Sequence, residues 1–251
     1  MIDCHAHLDE LRDLEREIDE AQKAGVEAII AVGMDLQSNR RTLEIASRWE
    51  GMVFPAIGYH PWEIRLEEIS ETLSFIDEHL PRCVALGEVG LDYKARVKKD
   101  LQKEVFSQIL ALAKRHRKPL ILHCRYSHQR VFSMVKEAGI EKAVFHWYTG
   151  PLDLLGEILA AGYYVSVTPA LSYSPPHRAA AAEAPLERIL LETDTPVRYG
   201  NLEARPKHVF LTLQKLAEIK GLPEERVAKI CTENALRLFG PSGLTLSPEL
   251  K

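Results

Sequence analysis

The chain has 251 residues, a formal net charge of −4 and 46% hydrophobic residues. That is enough for a large core, and too acidic for a protein that lives on non-specific duplex DNA contacts, which is usually basic. No apolar run approaches the ~20 residues that cross a bilayer, and Asp3, His5 and Asp9 interrupt the N-terminus where a secretory signal would need an apolar stretch.

Short apolar strands alternate with longer amphipathic helices along the chain. Strands are predicted at 1–5, 26–32, 52–57, 83–87, 119–123, 143–146, 163–167 and 188–192. A first helix is predicted over 8–24, stopping at Gly25, a usual C-terminal signal. Another runs over 98–117, with Leu101, Val105, Ile109, Leu112 and Ala113 at helical spacing, and ends before Pro119. The alanine run 179–182 reads as helix, 223–239 as an additional C-terminal helix, and 240–251 as a loosely ordered tail. The strands show little alternation, as strands of a parallel sheet buried on both faces do. About eight βα units of about 30 residues, with no linker between them, predict a closed (β/α)8 barrel spanning 1–251 as one domain. An open α/β sheet is the competing arrangement. The four cysteines, Cys4, Cys83, Cys124 and Cys231, are scattered without a C-x-x-C pair, which predicts reduced thiols and a cytoplasmic protein.

The chemistry gathers where the predicted strands end. "DCHAHLD" places His5 and His7 two residues apart, so both imidazoles share one face of a strand. In a barrel that face is the interior, and Cys4 and Ala6 are expected to point outward as packing residues. "CVALGEVGLDY" ends its strand with Glu88 after Gly87, "PLILHCRY" with His123, "AVFHWYTG" with His146, and "RILLETDTP" with Glu192 and Asp194. Barrel active sites lie at the C-terminal strand ends. Five strands thus deliver His5, His7, Glu88, His123, His146 and Asp194 to one rim, a ligand set for divalent metal. Six ligands exceed the four that one zinc ion takes, and suit two ions about 3.5–4 Å apart sharing a carboxylate. Metal coordination also explains how an apolar N-terminal strand accommodates two histidines.

"DCHAHLD", "GYHP", "GEVGLDY", "LHCR", "FHWYTG", "ETDTP" and "TENALRLF" follow one another in this order. Together they resemble the TatD-type metal-dependent hydrolases, or TatD DNases, of the amidohydrolase superfamily, from Met1 to about Phe239. The resemblance implies a (β/α)8 barrel with two divalent ions, Mg, Mn or Zn. It implies that His5, His7 and Asp194 bind one ion, that His123 and His146 bind the other, and that Glu88 bridges. It further implies phosphodiester hydrolysis, with DNA the favoured nucleic-acid substrate, or deacylation of mischarged aminoacyl-tRNA. His60 of "GYHP" is implied to bind the scissile phosphate. The chain departs from the family's nuclease members in having Tyr126 after "HCR", where an acidic residue is usual. It also has Glu203-Ala204-Arg205-Pro206 in place of an R-N-E-P-like string. Both segments are expected to line the substrate approach.

Other residues keep two readings. Arg125 either clamps a phosphate bidentately or forms an ion pair at the rim. Trp62, Trp147 and Tyr148 either stack on a base or pack over the barrel mouth. Asp92 is expected past its strand end, bonding a loop backbone. Arg96, Lys98 and Lys99 read as a solvated helix start, and His79, His116, His128, His177 and His208 as surface residues.

The leading function is a metal-dependent phosphodiesterase in which Asp194 holds metal and accepts the proton of the attacking water. An ester or amide hydrolase such as an aminoacyl-tRNA deacylase would use the same site. A non-catalytic metal scaffold does not need so complete a ligand set. A PHP-type phosphoesterase also opens on H-x-H, but would carry a terminal D-x-H where this chain has "ETD". Neither a membrane nor an obligate protein partner is expected.

Overall fold

The computed structural model describes residues 1–246. Eight parallel strands run in chain order: β1 (Ile2–Ala6), β2 (Ala28–Val32), β3 (Val53–Ile57), β4 (Ala85–Asp92), β5 (Leu120–Arg125), β6 (Ala143–Phe145), β7 (Tyr164–Val167) and β8 (Ile189–Leu191). The helices between them are α1 (Leu14–Lys23), α2 (Leu36–Arg48), α3 (Ile69–His79), α4 (Lys99–His116), α5 (His128–Glu137), α6 (Leu152–Ala160) and α7 (Pro175–Glu183). Two helices follow β8, namely α8 (Val209–Lys220) and α9 (Glu224–Phe239). The sheet closes rather than staying open. A parallel bridge joins Ala6 to Thr195, Asp194 N donates to His5 O at 2.9 Å, and His7 N donates to Thr195 O at 2.8 Å. On the outer side of this seam, the Asp3 carboxylate accepts hydrogen bonds from Thr193 N and Oγ1. No helix among the described residues is long and apolar enough to cross a membrane.

Strand residues alternate between two apolar clusters. Ile29, Ala31, Leu120, Leu122, Ala143, Phe145, Ile189 and Leu191 pack with the helices, for example Ile18 of α1 and Phe106 of α4. Ile30, Val32, Ile121, Val144 and Leu190 form the inner cluster. Leu238, Phe239 and Leu244 join that inner cluster together with Val84, at the start of β4, and so plug the N-terminal mouth. The start of the predicted tail is therefore fixed: Gly240–Ser242 is a 3-10 turn and Leu244 is buried. Residues 247–251 of that tail lie outside the described residues. The predicted first helix is divided, with a 3-10 turn at Leu8–Glu10 and α1 starting only at Leu14, where the Asp13 carboxylate accepts from Arg16 N.

Two register irregularities aim the site residues. Along β1, Asp3 pairs with Ile29 and Ala6 with Ala31, so Cys4 and His5 together face the single inward residue Ile30. Along β4, Leu86 pairs with Leu120 and Val89 with Leu122, so Gly87 and Glu88 together face Ile121. Such bulges re-aim side chains beside functional sites. The first one corrects the outward placement of Cys4, which belongs to the inner cluster with Ile2. At the second, a side chain on Gly87 would lie 2.5 Å from Ile121 Cβ, so only glycine fits beside the inward Glu88.

Candidate metal centre

All six predicted ligands converge at the C-terminal mouth of the barrel. His5 Nε2 lies 3.2 Å from His7 Nε2, 3.3 Å from Glu88 Oε2 and 3.5 Å from Asp194 Oδ1. His7 Nε2 lies 3.5 Å from both Glu88 Oε2 and Asp194 Oδ1. An ion held at ~2.05 Å by four tetrahedral ligands requires them about 3.3 Å apart. The three atoms of His5, His7 and Asp194 have close to that spacing, so this donor set fits a divalent cation, with Glu88 Oε2 beside both imidazoles. The other Glu88 oxygen faces a second set, with His123 Nδ1 at 2.7 Å, His146 Nε2 at 2.8 Å and His60 Nε2 at 3.4 Å from Oε1. Asp194 reaches its place through a left-handed backbone (φ 52°) just where the chain bridges to β1, a conformation aspartate tolerates better than most residues.

The imidazoles are oriented from behind. His7 Nδ1 is 3.0 Å from Val32 O, His146 Nδ1 is 3.3 Å from Glu192 Oε1, and His123 Nε2 is 3.2 Å from Asp92 Oδ2. An N–H donated to each of these acceptors leaves the opposite nitrogen's lone pair facing Glu88, the arrangement that metal-binding histidines use. His5 Nδ1 is buried without a partner, and its ring stacks on that of His146 at 4.3 Å.

The electrostatics fit cations at this point. Burial opposes ionisation of Glu88, yet the surrounding histidines, His146 foremost, outweigh it and hold the carboxyl well below the usual range. Burial likewise opposes charge on Asp194, and His7 and His5 bring it down. Burial also disfavours protonated His7 and His146. For His7 the carboxylates of Asp194 and Glu88 prevail, and for His146 those of Glu88 and Glu192, lifting both well above the ordinary histidine range. Protons and a metal ion therefore compete for the same lone pairs. His60 differs: burial pushes it down to about 4, so it is neutral at pH 7. Its Nδ1 accepts from Trp62 N at 3.2 Å, which fixes the N–H on Nε2.

Two carboxylates belong to this site beyond the predicted set. Glu192, 1% exposed, accepts from Trp147 N at 3.0 Å and faces His146. Period-two alternation from the inward Leu190 would have placed it inside. Asp92 lies within β4 rather than beyond it. It accepts from the loop amides of Lys94 and Ala95 as expected, and also faces His123 and accepts from Trp62 Nε1 at 2.5 Å. Arg125 is half-exposed, 3.9 Å from Asp92 Oδ2, and lines the mouth. Tyr148 is buried and packs, its hydroxyl donating to Pro151 O.

Two expectations are corrected. The 203–206 segment does not line the mouth, because Arg205 turns to Glu17 of α1 at 2.9 Å and Ala204 is buried. Tyr126 is exposed in an adjoining groove that shares Arg125 with the mouth. His177 is not a surface residue: it is fully buried, accepting from Thr168 N and bonded to Tyr148 O at 2.8 Å, so it ties α7 to the ends of β6 and β7. His79, His116, His128 and His208 are partly buried.

Comparison with known proteins agrees with this architecture. A family model described as TatD related DNase matches residues 2–240. The human protein named deoxyribonuclease TATDN3 is 31% identical over 95% of this chain and 94% of its own length. A Bacillus subtilis protein named uncharacterized metal-dependent hydrolase YabD is 34% identical over 95% of this chain and 98% of its own. The crystal structure of YJJV, a TatD homolog from Escherichia coli, superposes with a TM-score of 0.87 at 26% identity, covering 96% of this chain and 98% of that one.

Proposed function

The chain belongs to the TatD related DNase family of metal-dependent hydrolases, and from that premise we propose that it is a phosphodiesterase acting on nucleic acid, DNA foremost. In this reading His5, His7 and Asp194 would hold one divalent cation and His123 and His146 a second, with Glu88 shared between them. The observation that carries it is the division of Glu88, with Oε2 turned to His5 and His7 and Oε1 turned to His123 and His146. Two cations bound there would supply Lewis-acid polarisation of the phosphoryl group and lower the pKa of the attacking water.

The protein's own groups do the rest. His60, neutral and with its proton fixed on Nε2, donates that N–H to a non-bridging phosphoryl oxygen. The ionised carboxylate of Asp194 accepts the proton of the attacking water. Arg125, half-exposed at the rim beside Asp92, is a cation within reach of an incoming phosphate. Glu192 and Asp92 keep His146 and His123 aimed while substrates come and go. The four cysteines are free thiols, in keeping with a cytoplasmic setting.

The test reconstitutes the protein in turn with zinc, manganese and magnesium. Bound ions are counted, and each form is assayed on single-stranded DNA, RNA, abasic duplex and aminoacyl-tRNA. Two ions per chain and cleavage of a phosphodiester are expected. Hydrolysis of the aminoacyl ester with all phosphodiesters left intact would make the protein a deacylase and overturn this reading.

A further inference from the structure

We propose that Trp62 is a preset stacking platform for a nucleobase of the substrate, held in place by the buried carboxylate of Asp92. This inference rests on the phosphodiesterase reading and adds what grips the substrate beside its scissile phosphate.

Trp62 lies five residues beyond the end of β3, two after His60, and lines a cavity of about 620 Å³ above the candidate metal-ligand cluster. Its ring meets His60 edge-on at 4.5 Å and His123 at 5.7 Å. A tryptophan that served only to cover the mouth would bury its faces. Trp62 is 48% exposed, yet its indole N–H donates to Asp92 Oδ2 at 2.5 Å. Asp92 is itself fully buried, and its backbone N and O are both bonded to the Gln102 side chain. A hydrogen bond to an ionised, immobile acceptor fixes the indole plane, so a base stacking there orders little that is not already ordered.

The charge of the cavity points the same way. Among the described residues lining it, Arg125 is the one Lys or Arg, and Glu10 offsets it. Beyond the scissile phosphate, which bound cations would meet, a substrate gripped through its flanking phosphates would require several further cations. Here aromatic surface takes their place, with Tyr173 also exposed on the lining. Stacking tolerates any base, since every base has a π-face.

The test is a cycle between protein and substrate. Wild type and Trp62→Ala are assayed on short single-stranded oligonucleotides in which one base at a time, on either side of the cleaved bond, is replaced by an abasic sugar. At one position, removing the base should raise KM for wild type by about 10-fold, within the range of base–aromatic stacking. Trp62→Ala should show the same rise with the complete oligonucleotide and no further rise with that abasic one. Trp62→Phe, which keeps a ring face but lacks the N–H, should recover part of the loss, with the variants' circular dichroism unchanged. Losses that multiply at every position would overturn the inference while leaving the phosphodiesterase reading in place. Absence of oligonucleotide cleavage by metal-loaded wild type would overturn both.

Discussion

Glu192→Gln isolates one contribution to the metal centre. The amide keeps the size of the side chain, and its oxygen still accepts from Trp147 N, now 3.0 Å from Glu192 Oε1. The negative charge that faces His146 Nδ1 at 3.3 Å is lost. A hydrogen bond to a charged group contributes about 1.5–3 kcal/mol, against about 0.5–1.5 for a neutral one. The difference, about 1–1.5 kcal/mol, is roughly tenfold in affinity, at the lower end of the ~10–100-fold effects that such supporting groups have on bound metal. Because Glu192 hydrogen-bonds His146, and not His5, His7 or Asp194, the weakening should fall mainly on one ion. Competition titration with a chromophoric chelator would resolve two affinities in the parent protein, one of them about tenfold weaker in the variant. Unchanged affinities, or an equal loss for both ions, would refute the assignment of Glu192 as the support of His146.

Glu88→Gln should fold, since the carboxyl lies in the mouth rather than in the apolar clusters, but lose at least one ion and about 10²-fold or more in hydrolysis. A folded variant with two ions and near-normal turnover would falsify the bridging role. Gly90 has φ 146°, and a side chain there would meet His123 O at 2.1 Å. Gly90→Ala should therefore lower stability by about 3 kcal/mol or more, read as a shift in the urea midpoint, and parental stability would show that β5 yields without cost. Burial pushes His128 down to about 4, whereas an unfolded histidine titrates near ~6.5. Between these values the unfolded chain binds more protons, so the His128 contribution is complete above about 6.5 and falls away as pH drops towards 4. The full shift corresponds to about 3 kcal/mol, and solvent at the partly buried ring reduces that to about 2. In metal-free protein His128→Asn should flatten the stability profile by that amount relative to the parent, and parallel profiles would contradict it.

Much of this protein is legible along the chain. The eight strands, the barrel and the six convergent candidate ligands follow from local signals, because apolar runs, glycine stops and ionisable residues at strand ends each belong to one short segment. The predicted strand at 83–87 became Ala85–Asp92, and Asp92 with it became an inward partner of His123. Strand ends depend on how long a neighbour continues to pair, and β5 pairs with β4 as far as Arg125. Period-two alternation sent Cys4 outward and His5 inward, but both face Ile30 because β1 carries one residue more than β2 across that stretch. A bulge is a mismatch between two strands, so neither strand's sequence contains it. The same holds for Glu192 behind His146, for Asp92 beneath Trp62 and for Arg205 drawn away to Glu17. Each pairing joins residues 30 or more positions apart. Side-chain chemistry along the sequence determined which groups could bind metal. Only closure of the barrel, with Asp194 brought within 3.5 Å of His5 and His7, decided which of them cluster at the mouth and which stand behind the imidazoles.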